Sequence, residues 1–342
     1  MKLAPSPKRS TTDGQRTVDI NDTLARIEPV MKKAGITRVA DITDLDRVGI
    51  PVFSAIRPSA ETGAISVYNG KGFTNEEAKV SAIMEGVERY SAEVRGYNII
   101  RQGVEEFMAS HNAVHPLDLI ITPVAAYHLA GMSVAWVKGV ELNSMDETWV
   151  PASGVFHPYV AKSDLALFRT NTNGLASGNN LEEAILHGMC EVIERDAWSL
   201  AEGRRKLNGN VEVPENGRVR DLYDRFTSKG IEVHLKNLTS DIGVPVIAAA
   251  TDDMEMQDPA LLTLGIGCHL NPEVAAVKAL LEVAQSRLTQ IHGAREDTVR
   301  GEHTRKLGYE RMKRINAMWL TEEGDSMRLS DLPNRETDDI FD

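Results

Sequence analysis

One acidic phrase occurs twice in this chain. Glu76-Glu77-Ala78, six residues, Glu85, two residues and Glu88-Arg89 recur as Glu182-Glu183-Ala184, Glu191 and Glu194-Arg195 at the same spacing. Glutamates at i and i+3 share one helix face a turn apart, where like charges repel, so the pattern predicts a cation between them. Each copy is read as a strand, a Gly/Asn-rich turn and a helix. The strands are residues 64–68 and 165–170, and the turns are residues 69–72 and 173–180. Thr74 or Asn75 caps the first helix and Asn180 the second, and apolar residues then recur at helical spacing. A fainter third copy has a strand at 262–267, Asn271 as cap, Pro272 at the first helical position, and Glu282, Gln285 and Arg287 on the helix. Three such units converging on one site is the expectation.

Carboxylates are hard oxygen ligands, which points to Mg²⁺ held by Glu85, Glu88, Glu191, Glu194 and Glu282. A triphosphate is the natural bridging ligand. Lys71, Arg89, Arg195 and Arg287 supply charge to neutralise it, and backbone N–H groups of the glycine loops and helix starts add donors. The run Gly70-Lys71-Gly72 is not a Walker A loop, because the GxxxxGK[ST] spacing is absent. A rival chemistry is a carboxylate-bridged di-iron bundle, but that uses Glu-x-x-His pairs. Here the i+3 partner is Glu or Gln, and His187 is the only nearby imidazole. The remaining rival is a solvated acidic helix face without function.

The net charge of −12 argues against nucleic acid as a partner. The 342 residues, 42% hydrophobic and 26% charged, suit a soluble α/β (α+β) protein of one large domain or two. Cys190 and Cys268 form no metal motif and suit a reducing cytoplasm. The polar N-terminus (residues 1–19) has no apolar core of a signal peptide. Residues 21–34 read as an amphipathic helix that Pro29 kinks or splits. Residues 119–137 read as buried strand and turn, with a membrane span as the remote alternative. Residues 211–246 read as helix then strand, entered through a loop at 210–217. Residues 330–339 read as a helix start just before Asp342, so a C-terminal segment is expected to be missing.

Ser81-x-x-x-Glu85-x-x-Glu88-Arg89, Asn179-x-x-x-Glu183 with Glu191-x-x-Glu194, and Glu282-x-x-Gln285-x-Arg287 resemble the nucleotide-binding motifs of YcaO-domain proteins. The resemblance spans about Arg38 to Asp297. It implies an N-terminal segment 1–37 and a YcaO domain 38–342, with core motifs at 64–95, 165–199 and 260–297. Residues 48–58 and 168–178 look most like the archaeal branch paired with TfuA, which installs a thioglycine in the methyl-coenzyme M reductase α subunit. The resemblance implies that carboxylates, not a P-loop, hold Mg²⁺ and ATP. It makes Ser81, Asn179 and Glu183 nucleotide contacts, and places Arg287 and Gln285 near the phosphates. It also implies a homodimer acting on a peptide or protein, with a TfuA-like protein for substrate recognition. ATP activates a backbone amide, and sulfide then gives a thioamide. A neighbouring Cys, Ser or Thr gives an azoline instead. A non-catalytic ATP-binding module is the alternative of another class.

Overall fold

The computed structural model describes residues 2–9, 16–295, 299–321 and 324–342. Residues 296 and 297, the end of the third core motif, lie outside these, as do residues 10–15 of the polar N-terminus. The packing groups the chain into a larger unit (residues 5–59, 65–87 and 176–342) and a smaller one (1–4, 60–64 and 88–175).

In the larger unit, α1 (Ile20–Ala34) starts on Asp19, whose carboxylate accepts the Asn21 N–H, and ends on Gly35 at φ 77°. Pro29 lies inside this single helix without splitting it. A three-stranded antiparallel sheet follows, in the order β1 (Arg38–Asp41), β2 (Val52–Ile56), β3 (Val67–Lys71). Asn69, Gly70 and Lys71 are therefore strand rather than turn. A Cβ on Gly70 would lie 1.9 Å from the Ala82 backbone nitrogen of α2 (Asn75–Ser91). The glycine exists to let the helix lie on the strand. Thr74 caps α2 in a reciprocal box: its Oγ1 accepts the Glu77 N–H, while the Glu77 carboxylate accepts the Phe73 and Thr74 N–H groups. Gly70→Ala is expected to cost about 1–3 kcal/mol or more, because backbone rather than a flexible side chain must move. An unchanged urea midpoint would contradict that.

The smaller unit holds a second antiparallel sheet, β4 (Ile100–Gly103), β5 (Ser133–Val140), β6 (Glu147–Pro151). α3 (Val104–Met108) brings Phe107 to stack on Trp136, ring centroids 4.7 Å apart. The stretch expected to be buried strand and turn instead opens with α4 (Pro123–His128), capped by Thr122 with Pro123 at its first position, before β5. Among the described residues no helix is long and apolar enough to cross a membrane. Residues 165–170 form no strand. Leu165 and Leu167 are buried in the core around Phe107 and Trp136, and one hydrogen bond each, to Ser133 and from Thr122, replaces a ladder.

The rest of the larger unit is built on α5 (Leu181–Arg204), α6 (Arg218–Thr227) and α7 (Pro272–His292). They pack on a five-stranded sheet in the order β10 (Leu264–Cys268), β9 (Val246–Asp253), β8 (Ile231–Asn237), β7 (Asn210–Val211), β11 (Ser326–Met327). β9 is buried at every residue because helices cover both faces. Ile247 and Ala249 pack in the cluster with α6 and α7. Val246, Ala248 and Ala250 pack with Cys190, Ala197 and Ala201 of α5. The same alternation runs along β10. Ile266 and Cys268 face α5, while Cβ atoms on Gly265 and Gly267 would strike Ala279 and Ala275 of α7. Asn180 and Asn271 cap α5 and α7 as expected. The segment after Leu332 is not a helix start. It runs extended, with Ile340 N–H donating to the Ser6 carbonyl and Lys8 N–H to that of Asp338.

Candidate functional site

Among the described residues β10 is the edge strand of its sheet, so one side of it has no ladder partner. Charged side chains from the flanking helices occupy that edge. Cys268 donates its N–H to the Glu194 carboxylate of α5 at 3.0 Å. The Cys268 carbonyl accepts from Lys278 Nζ of α7 at 2.8 Å. One turn on, Glu282 is ion-paired at 3.0 Å with Lys71 at the end of β3. Glu194 is buried, and its carboxyl is pushed up to about 7, first by burial and then by the charge of Glu282. Lys278, Arg195 and Lys71 pull it back only in part.

A carboxylate raised by burial and by a neighbouring carboxylate, with Lys71 and Lys278 close by, is a hard-oxygen donor set suited to a cation. Mg²⁺ characteristically takes one or two protein carboxylates and fills its shell with water and phosphate oxygens. Glu194 and Glu282 fit that demand. Among the described residues no group of three or more His, Cys, Asp or Glu stands ready to hold a metal. Glu191 pairs with Arg195 at 3.9 Å, and Arg195 also lies over the Trp198 ring at 5.3 Å. Glu88, which belongs to the smaller unit, lies 3.4 Å from Arg89. Glu85 and Ser81 are half-buried on α2.

Several expected nucleotide contacts are engaged elsewhere. Glu183 is buried. Its oxygens accept the Thr17 N–H and hydroxyl, both at 2.7 Å, and the Asn179 N–H at 2.8 Å. Burial raises this carboxyl, but the Asn179 and Thr17 hydrogen bonds and the Arg16 charge together hold it below the ordinary range. Asn179 Oδ1 accepts from the Thr23 hydroxyl. In this structure the Asn179–Glu183 pair therefore fastens the segment before α1 onto α5. Gln285 donates its side-chain amide to the Asn69 carbonyl of β3.

Arg287, expected near the phosphates, is engaged by carboxylates of its own. It is fully buried, donating from Nε and Nη2 to Asp46 at 2.8 and 3.1 Å and from Nη2 to Asp253 at 3.1 Å. Five residues beyond Glu282 is about 140° around the helix, so Arg287 projects away from the Glu282 face. The glycines serve packing. Gly70, Gly178 and Gly265 all lie against helix backbone, and the helix starts are capped by Thr74, Asn180 and Asn271.

His187 is held neutral, its pKa lowered to about 3 by burial and by Lys278 and Arg16. The helices around it pack on sheets, so the four-helix di-iron arrangement does not apply. Lys278 escaped the sequence reading. Its signal was present: it lies four residues before Glu282 on the same face, beside Gly267 of the glycine-alternating strand.

The YcaO family model, described as YcaO cyclodehydratase, ATP- and Mg²⁺-binding, matches residues 69–342. An uncharacterized protein of Methanothermobacter thermautotrophicus is 47% identical, over 93% of this chain and 82% of its own length. An uncharacterized protein in the tfuA 3′ region of Rhizobium leguminosarum bv. trifolii is 35% identical, over 86% of this chain and 73% of its own. The structure of YcaO from Methanopyrus kandleri bound with AMPPCP and Mg²⁺ is similar at a TM-score of 0.76 and 32% identity, covering 95% of this chain and 81% of that one. With a family match over most of its length and a relative nearly half identical along it, this chain belongs to the YcaO family.

Proposed function

We propose that this chain is an ATP- and Mg²⁺-dependent enzyme that modifies a backbone amide of a peptide or protein, and that the modification is thioamidation. The observation that carries the reading is the buried Glu194, raised by burial and by the nearby charge of Glu282, with Lys71 and Lys278 at the edge of β10. The description of the family as ATP- and Mg²⁺-binding supports it. So does the M. kandleri YcaO bound with AMPPCP and Mg²⁺. Glu194 and Glu282 would hold the metal, with Glu85, Glu88 and Glu191 as further candidates. Ser81, Asn179, Glu183, Arg89 and Gln285 remain candidates for the nucleotide once it displaces their present partners. The bound metal supplies charge neutralisation of the phosphates.

An amide carbon is a poor electrophile. Transfer of a phosphoryl group to the amide oxygen turns that oxygen into a leaving group. Sulfide adds to the carbon, phosphate departs with the oxygen, and a thioamide remains alongside ADP and phosphate. The protein's part is positioning and electrostatics rather than a nucleophile of its own. Lys71 and Arg195 would bear on the transferred charge. A relative named for its place in the tfuA 3′ region supports a TfuA-like partner. The archaeal resemblance supports the α subunit of methyl-coenzyme M reductase as substrate, and the family resemblance a homodimer. Two buried, unbridged thiols support a reducing cytoplasm as the setting.

The test is mass spectrometry of a glycine-containing substrate peptide after incubation with the protein, ATP, Mg²⁺, sulfide and the partner. The expected product has exchanged oxygen for sulfur. Loss of water instead would establish the azoline-forming alternative, which the family description as a cyclodehydratase favours. Nucleotide binding without substrate-dependent hydrolysis would establish a non-catalytic ATP-binding module.

A further inference from the structure

The cations around β10 are not equally committed. Lys71 is ion-paired with Glu282, Arg195 with Glu191, Arg16 with Glu183 and Arg287 with Asp46 and Asp253. Lys278 is held differently, by a neutral backbone carbonyl, that of Cys268. An ammonium has three N–H donors, and this bond uses one.

The Lys278 stem is also fixed. A Cβ on Gly267 would lie 2.7 Å from Lys278 Cβ, so the missing side chain is what lets the lysine lie along the strand. Its charge reaches across the site: it bears on Glu194, His187, His269 and Cys190. His187 and His269 are kept neutral, so neither supplies a competing positive charge there.

We propose that Lys278 is a phosphate-binding residue, anchored by the Cys268 carbonyl and presenting its remaining N–H donors to the β- or γ-phosphate oxygens of ATP. The proposal rests on the ATP reading of the site. It deepens that reading by assigning the phosphate contact to a cation whose hydrogen bond goes to a backbone carbonyl rather than to a carboxylate. Lys71, by contrast, must first give up Glu282. A lysine four residues before Glu282 shares its helix face, so the two side chains would hold phosphate and metal side by side.

The experiment is isothermal titration of Mg²⁺ with AMPPCP, and separately of AMP, into wild type, Lys278→Met and Lys278→Arg, with thermal unfolding of each. Loss of a charge-assisted hydrogen bond predicts about a 10-fold or greater loss of AMPPCP affinity in Lys278→Met. AMP binding should be unchanged, because AMP lacks the β- and γ-phosphates. Lys278→Arg should recover much of the loss, since the positive charge is kept.

Equal AMPPCP affinity in wild type and Lys278→Met would overturn the proposal. An equal loss for AMP and AMPPCP together with a lowered unfolding temperature would overturn it too, since that marks a structural lysine. Failure of wild type itself to bind AMPPCP would sink the ATP reading and the proposal with it. That result is distinguishable from the first two, in which wild type binds.

Discussion

Glu194→Gln is expected to fold normally and to lose about 10²–10³-fold or more of substrate-dependent ATP turnover, because it removes a charge that would hold the metal. The stability half of this prediction follows from burial. In the metal-free protein the Glu194 carboxyl is raised to about 7 by burial and by Glu282. The amide of Gln resembles the protonated form and still accepts the Cys268 N–H. The sign of the pH effect is fixed. A carboxyl whose pKa is raised on folding, from the ordinary 4.5 to about 7, holds an extra proton in the folded state between those values. Its contribution to stability is present below pH 4.5 and is lost as pH rises toward 7. Wild type without metal should therefore lose stability across that window. Glu194→Gln should lose less, and saturating Mg²⁺ with nucleotide should restore wild type but not the variant. Urea unfolding at pH 5 and pH 8 reads the first part and ATP turnover the second. A variant that unfolds, or one that turns over ATP like wild type, contradicts the assignment.

Arg287→Met is expected to cost about 3–5 kcal/mol, the loss typical when one partner of a buried ion network is removed. Asp46 and Asp253 would be left buried, with Arg47 still pairing Asp253 at 2.7 Å. Arg287→Lys should recover little, because an ammonium cannot span both oxygens of Asp46 while reaching Asp253. The readout is the urea midpoint, with AMPPCP affinity measured under conditions where the variant is folded. A normal midpoint with lost nucleotide binding would return Arg287 to the phosphates, where the family resemblance had placed it.

These two residues show how far the sequence could be read. The helices of the repeated phrase, their caps at Asn180 and Asn271, and the strand before α7 followed from local signals: capping oxygens, Pro272, and the alternation of Gly265 and Gly267 with apolar residues. The pairing of Glu282 with Lys71, and the approach of its charge to Glu194, was foreshadowed by the conjunction of motifs but not by any one of them. What escaped depended on long-range contacts. Nothing near Glu183 announces that Thr17 will occupy its oxygens. Nothing near Arg287 announces Asp46, although the helix period already turned it away from Glu282. Gly70 was read as a turn because glycine commonly marks one, yet here it lies within β3 so that α2 can pack on it. Leu165 and Leu167 looked like a strand because alternating apolar residues do, yet they fill a core without a ladder.

The most direct test is a crystal of the protein grown with AMPPCP and Mn²⁺ in place of Mg²⁺, with anomalous scattering measured at the manganese. The account predicts a peak within direct coordination distance of the Glu194 and Glu282 carboxylates, bridged to phosphate oxygens. Nucleotide bound elsewhere, or a peak that neither carboxylate touches, would contradict it.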